Sequence, residues 1–214
     1  MQINSGNLDL DSFLKGGYEK LTTFYGLPTS GKTCLSLMAV LEQIKENKVF
    51  FLDVKNDFNL VRLEQINGSK IDDYLNNLFV LQIKSFADQQ KKINSLSKLI
   101  EKKEFSLIVI DGFNFYYRTL VNSKPDLAKG MLNSQLKILK EISKKTTVII
   151  TNDVFESFDT GDIKMIGGNI IHWWSDFVIK LEAGGNMPNR LRIIEPKKKS
   201  RFSFNIVEKG IEKT

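Results

Sequence analysis

Two stretches carry the residue types that handle phosphate and a hard metal ion. The first, Gly26-Leu27-Pro28-Thr29-Ser30-Gly31-Lys32-Thr33, has the spacing Gly-x-x-x-x-Gly-Lys-Thr and runs into Cys34 and an apolar segment. Backbone N–H groups can curl around phosphate oxygens only where bulky side chains do not obstruct the turn, and Gly26 and Gly31 leave that room. A helix opening at the end of this loop aims its unpaired N–H groups and positive dipole end at the same anion. Lys32 is the expected partner of the β- and γ-phosphate oxygens, and the Thr33 hydroxyl an expected Mg²⁺ ligand. The second stretch, Ser106-Leu-Ile-Val-Ile110-Asp111, delivers a carboxylate to the C-terminal edge of a parallel sheet, where ligands of doubly wound sheets sit. Asp111 is expected to hold Mg²⁺, usually through water, beside Thr33. ATP and Mg²⁺ are therefore the expected cofactors, with Lys32 and Asp111 as the catalytic pair and Gly26 to Cys34 as the nucleotide-binding run.

The elements that must position these residues alternate between strand and helix. Leu21–Tyr25 reads as the strand before the loop and Cys34–Lys48 as the helix after it, with apolar residues at helical spacing. Val49–Asp53, Leu78–Ile83, Ser106–Asp111 and Thr147–Asn152 are short apolar runs of the kind buried in parallel sheets. Between them, helices are expected up to about Ile66 and over Phe86–Lys103 and Leu127–Lys145, with a short one over Asn169–Trp174. Phe177–Glu182, Arg190–Ile194 and Phe202–Val207 are expected to close the sheet in antiparallel fashion. The segment from Phe155 to Gly168 has no clean periodicity and reads as a mobile loop. Gly112 to Leu120 holds Phe113, Phe115, Tyr116, Tyr117 and Arg118, an aromatic cluster expected mostly to pack, with about one ring in four exposed.

At 214 residues the chain has room for one sizeable α/β domain, and residues 1–214 are expected to form it. The single cysteine, Cys34, excludes an intramolecular disulfide and a cysteine-rich metal site. No basic leader and no long apolar run is present, so a cytoplasmic protein without membrane contact is expected. The lone histidine, His172, reads as structural. A net charge of +6 favours a polyanionic partner. The densest basic stretch, Pro196-Lys197-Lys198-Lys199-Ser200-Arg201, lies between two strands and has two readings, a phosphate-backbone contact or a solubilising hairpin tip.

Taken together, these stretches resemble the RecA/RadA recombinase family, and within it the short archaeal paralogues. The likeness runs from Leu8 to the C-terminus. It rests on Gly16-Gly17-Tyr-Glu19 leading into the phosphate loop, on Tyr117-Arg118 after the Asp111 strand, and on Thr151-Asn152 closing the next one. Gly167-Gly168-Asn169-Ile170 with His172, and the tail from Phe202 to Ile211, are its more specific parts. The resemblance implies a RecA-like ATPase core, with a mostly parallel sheet and no N-terminal helix-hairpin-helix domain, used in homologous recombination and DNA repair. It implies that Arg62 stacks on adenine by cation–π contact. It also implies that loops after Asp111 and Asn152 face DNA, with Arg118 and Lys164 as phosphate contacts, and it favours DNA for Lys197, Lys198, Lys199 and Arg201.

Three departures from the family pattern change the expectation. The position of the family's water-orienting glutamate falls on Lys55, which as a cation cannot serve as that base. The γ-phosphate-sensing glutamine falls on Asp153, which repels phosphate unless Mg²⁺, Lys55 or a rotated side chain intervenes. No Phe-x-x-Ala polymerisation motif precedes the core, so autonomous filaments and strand exchange are not expected. The implied protein binds ATP and DNA, hydrolyses ATP weakly or not at all, and assists a full-length recombinase or other repair protein, with a homo-oligomer allowed. The alternative is a RecA-like signalling ATPase or kinase that acts on a protein partner.

Overall fold

The computed structural model describes residues 1–101, 104–156, 163–185, 187–195 and 201–214. A two-stranded ribbon of β1 (Gln2–Ile3) and β2 (Tyr18–Glu19) brackets helix α1 (Leu8–Leu14). Asn7 caps α1 by accepting from the Leu10 N–H, and Lys15 ends it in the left-handed conformation. Both are standard helix boundaries.

The main sheet alternates with helices as the apolar runs predict. In chain order it takes β3 (Leu21–Gly26), α2 (Lys32–Ile44), β4 (Val49–Asp53), α3 (Leu60–Asn67) and β5 (Leu78–Gln82). Helix α4 (Phe86–Ile100), β6 (Leu107–Asp111), α5 (Phe115–Ser123), α6 (Pro125–Ile142) and β7 (Thr147–Asn152) follow. A short hairpin, β8 (Val154–Glu156) with β9 (Ile163–Met165), precedes α7 (Gly168–Trp174). The chain closes with β10 (Phe177–Glu182), β11 (Asn189–Glu195), β12 (Arg201–Val207) and β13 (Gly210–Lys213).

Among the described residues nine strands form one sheet in the order β13-β12-β11-β10-β3-β7-β6-β4-β5. The pairs from β10 through β5 are parallel, and β10 to β13 pair antiparallel. Strands β4, β6 and β7 are buried along their whole length, because helices cover both faces. On one face α1 and α2 pack with the C-terminal strands around Phe24, Leu35, Phe51, Leu107 and Phe204. On the other, α4 to α7 cover Leu21, Leu52, Ile108, Ile150 and Val178. Strand register sets the C-terminal edge, where Asp53 stands opposite Asp111 and Tyr25 opposite Asn152. Among the described residues no helix is long and apolar enough to cross a membrane.

Two local expectations are corrected, and two elements are added. The helix after the phosphate loop begins at Lys32 and ends at Ile44, earlier at both ends than Cys34–Lys48. Phe115 to Ser123, within and beyond the aromatic cluster, form a helix, in which Tyr117 turns inward against Phe86 while Phe115 stays exposed. In the segment read as a mobile loop, residues 155–156 and 163–165 belong to the β8–β9 hairpin, whose Met165 side chain is buried. The closing strand β13, Gly210-Ile211-Glu-Lys213, overlaps the end of the tail from Phe202 to Ile211 and is too short to show periodicity in the sequence.

Candidate nucleotide site

Residues of the phosphate loop fit only because two of them lack a side chain. A Cβ at Gly26 would stand 2.1 Å from the Leu181 carbonyl oxygen of the adjacent strand, so β3 and β10 can pair here only through glycine. Gly31 has φ 99°, the left-handed conformation that turns the chain into α2. Thr29, with φ 65°, is also left-handed, and this local strain sits at the loop's exposed tip. Leu27, Pro28 and Thr29 face solvent, whereas Ser30, Gly31 and Lys32 are buried. The Ser30 hydroxyl has no hydrogen-bond partner, a buried polar atom within the cradle.

Lys32 points its ammonium back over the loop. Its Nζ donates to the carbonyl oxygens of Gly26 at 2.7 Å and Leu27 at 2.9 Å. It also lies 3.6 Å from Asp153 Oδ1. Burial holds the Lys32 pKa below the ordinary lysine value, and the Asp153 carboxylate partly opposes that shift.

Thr33 and Asp111 meet as their spacing predicts. The Thr33 hydroxyl donates to Asp111 Oδ2 at 2.9 Å, and the Thr151 hydroxyl donates to Asp111 Oδ1. Thr151, unremarked as a site residue in the sequence, also accepts from the Gly112 N–H at 2.8 Å. Burial pushes the Asp111 carboxyl above its usual range, while its hydrogen bonds to Thr151 and Thr33 pull it down. A hydroxyl oxygen and a carboxylate oxygen side by side at a helix N-terminus form a hard-oxygen pair suited to Mg²⁺, which takes few protein ligands and completes its shell with phosphate and water. Asp53, opposite Asp111 in the sheet, instead accepts the Asp57 and Phe58 N–H groups and shapes the next loop.

The two altered positions are paired. Lys55 Nζ lies 3.0 Å from Asp153 Oδ2 and donates to Oδ1 at 3.2 Å, although 98 positions separate the two residues in the chain. Asp153 is pinned through its backbone, since its N–H donates to Asn114 Oδ1 at 3.1 Å and its carbonyl accepts from Asn114 Nδ2 at 3.0 Å. Lys55 lies across Gly112, where a Cβ would come within 2.8 Å of the lysine Cγ. Asn114 and Gly112 are positioning residues that the sequence did not single out. An Asx residue and a glycine after a strand look like any turn.

Arg62, on α3, reaches the turn between β12 and β13. Its guanidinium donates to the Val207 carbonyl at 3.0 Å and the Glu208 carbonyl at 2.9 Å, and approaches Cys34 Sγ at 3.8 Å. Beside it a cavity of about 260 Å³ is lined by Thr33, Asp57, Phe58 and Asp111. Cys34 donates weakly to the Gly210 carbonyl at 3.6 Å, so the end of the chain closes over the start of α2.

The expected DNA residues that are described lie on three separate elements, α5, β9 and β12. Arg118 on α5 and Lys164 on β9 are exposed, and Lys164 lines an open cleft of about 770 Å³ with Phe155, Tyr25, Tyr117 and His172. His172 stacks edge-on to Tyr25 with ring centroids 6.3 Å apart, in keeping with a structural role. Arg201 is exposed at the start of β12, opposite Arg192. Lys197, Lys198 and Lys199 lie outside the described residues.

A phosphate loop between β3 and α2, on a mostly parallel sheet with an antiparallel C-terminal end, defines a RecA-like P-loop fold. Comparison with known proteins narrows this class, for the Rad51 family model matches residues 1–214 and the chain belongs to that family. It is 30% identical to the DNA repair and recombination protein RadB of Methanosphaera stadtmanae over 217 residues, covering 96% of this chain and 93% of the relative. The RadB of Methanocaldococcus jannaschii is 30% identical over 213 residues, covering 95% and 98%, and that of Methanobrevibacter smithii is 29% identical over 219 residues, covering 96% and 93%. The chain is thus a RadB-like member of the family.

Proposed function

We propose that this chain is an accessory protein of homologous recombination and DNA repair that holds ATP and Mg²⁺ at Gly26–Thr33, binds DNA, and turns ATP over slowly or not at all. The observation that carries this reading is the Lys55–Asp153 ion pair, 3.0 Å long, at the edge of the phosphate loop. In water-activating nucleotide sites a neutral or anionic side chain orients the attacking water. Here that flank is a cation, which cannot accept a water proton, bound to a carboxylate that two lysines already engage. The groups that hold nucleotide remain intact. Lys32 carries the phosphate contact, Thr33 and Asp111 offer the oxygens for Mg²⁺, which would neutralise phosphate charge, and Arg62 stands ready at the base end.

DNA binding is assigned to Arg118, Lys164 and Arg201, with Lys197, Lys198 and Lys199, and the location is cytoplasmic. The partner is a full-length recombinase or another repair protein. Phosphate contacts displace counterions, so the reading requires log affinity for DNA to fall linearly with log salt, with a slope of about −0.7 to −0.9 per contact. Charge reversal at Lys197–Lys199 is expected to flatten that slope and weaken binding. Negligible, salt-independent binding would instead favour a signalling ATPase or kinase acting on a protein. Steady-state phosphate release at recombinase-like rates, lost in Lys32→Ala, would sink the low-turnover part of the proposal. Asp57, exposed beside Thr33 and Asp111, is the one nearby carboxylate that could replace the missing base among the described residues, and Asp57→Asn tests that route.

A further inference from the structure

An ammonium group has three donors, and protein groups already engage those of Lys32. Two go to the Gly26 and Leu27 carbonyls, and the remaining side of the ammonium faces Asp153 Oδ1 at 3.6 Å. The same carboxylate holds Lys55 through both oxygens, at 3.0 and 3.2 Å. Asp153 is therefore an internal anion set between two cations, one of which is the phosphate-loop lysine. Its backbone is fixed on both sides by Asn114, which is buried, so the carboxylate can leave this position only by rotating its side chain.

We infer that Asp153 makes the site discriminate by the number of phosphates, favouring a nucleoside diphosphate over a triphosphate. This rests on the reading of Gly26–Thr33 as a nucleotide site. The loop amides and the helix N-terminus receive the phosphates nearest the nucleoside, and the Lys32 ammonium, 3.6 Å from Asp153, is the cation that screens them from that carboxylate. A third phosphate extends past Lys32 towards Lys55, into the place the carboxylate holds. Like charges at contact distance in a partly buried site repel strongly, so the triphosphate must expel Asp153 and break two ion pairs before it gains the lysines. A diphosphate leaves the Lys55–Asp153 pair standing. Lys55 then serves as the counter-ion that retains Asp153, and Gly112 leaves room for its stem.

The test is calorimetric titration of the full chain with Mg²⁺ and either ADP or the β,γ-imido analogue of ATP, which cannot be hydrolysed to ADP. The wild type is expected to bind ADP at least about tenfold more tightly than the analogue. Asp153→Asn, which keeps the shape and removes the charge, is expected to tighten the analogue by about tenfold or more and to change ADP by less than about threefold. Asp153→Ser serves as a second neutral variant should the first unfold, and circular dichroism checks both. Equal or tighter binding of the analogue by the wild type overturns the inference. So does an equal gain for both ligands in the variants. If neither ligand binds any folded variant, and Lys32→Ala changes nothing, the nucleotide-site reading fails and takes this inference with it.

Discussion

Asp111 shows how a buried carboxylate trades stability for binding. It is 3% exposed, and burial raises its pKa despite donors from Thr33 and Thr151. A carboxyl whose folded-state pKa lies above its unfolded value binds more protons when folded. Its contribution therefore favours folding most at pH below the ordinary carboxylate range and is lost as pH rises through the folded-state value. At neutral pH without ligand, Asp111→Asn is expected to raise the melting temperature, by about 2–4 °C for each kcal/mol of desolvation relieved. The same variant is expected to lose the Mg²⁺ dependence of nucleotide affinity. Thermal melts and titrations with and without Mg²⁺ check the two halves, and a destabilised variant at neutral pH would contradict the first.

At the scale of elements, two contacts tie the site to the sheet. Gly26 lets β3 pass β10 with no room for a methyl group, the Cβ position lying 2.1 Å from Leu181 O. Gly26→Ala must push the two strands apart, which overpacks the centre of the sheet and is expected to cost about 1–3 kcal/mol in urea unfolding. Arg62 bonds two carbonyls of the β12–β13 turn from α3. Removing the charged donor leaves the half-buried Val207 carbonyl unpaired, while the exposed Glu208 carbonyl turns to water, at a cost of about 1 kcal/mol. Arg62→Ala is accordingly expected to speed amide exchange in 201–213 and leave exchange in β4 and β6 unchanged, as hydrogen-exchange mass spectrometry would read. Equal acceleration everywhere would point to global destabilisation instead.

For the whole molecule, ligand binding and folding are linked through the sheet. The loop joins β3 to α2, and both are wrapped into the core that also holds Phe204 and Ile211 from the last strands. A ligand that binds only the folded state at about 100 times its dissociation constant adds about 2.7 kcal/mol. For a chain of this size that corresponds to a rise of about 5–10 °C in melting temperature. ADP with Mg²⁺ is expected to produce this rise in the wild type and almost none in Lys32→Ala, as scanning fluorimetry would record. The basic charge of +6 acts at the same scale, drawing polyanions to the molecule without specifying where they dock.

What the chain alone determined is local. The glycine and lysine spacing of Gly26–Thr33 and the apolar runs ending at Asp53 and Asp111 are legible because turn chemistry and strand burial act over a few residues. The positions of the central strands follow from the same patterns. Residues 115–123 were read only as an aromatic cluster and prove helical, since which ring turns inward depends on the helices beneath them. Lys55 and Asp153 could be named as departures from a pattern, yet not as partners. Only the register of β7 beside β6, the Asn114 clamp and the space over Gly112 bring them to 3.0 Å. Charges 98 positions apart pair only if the folded sheet brings them together, and no periodicity in the chain encodes that distance.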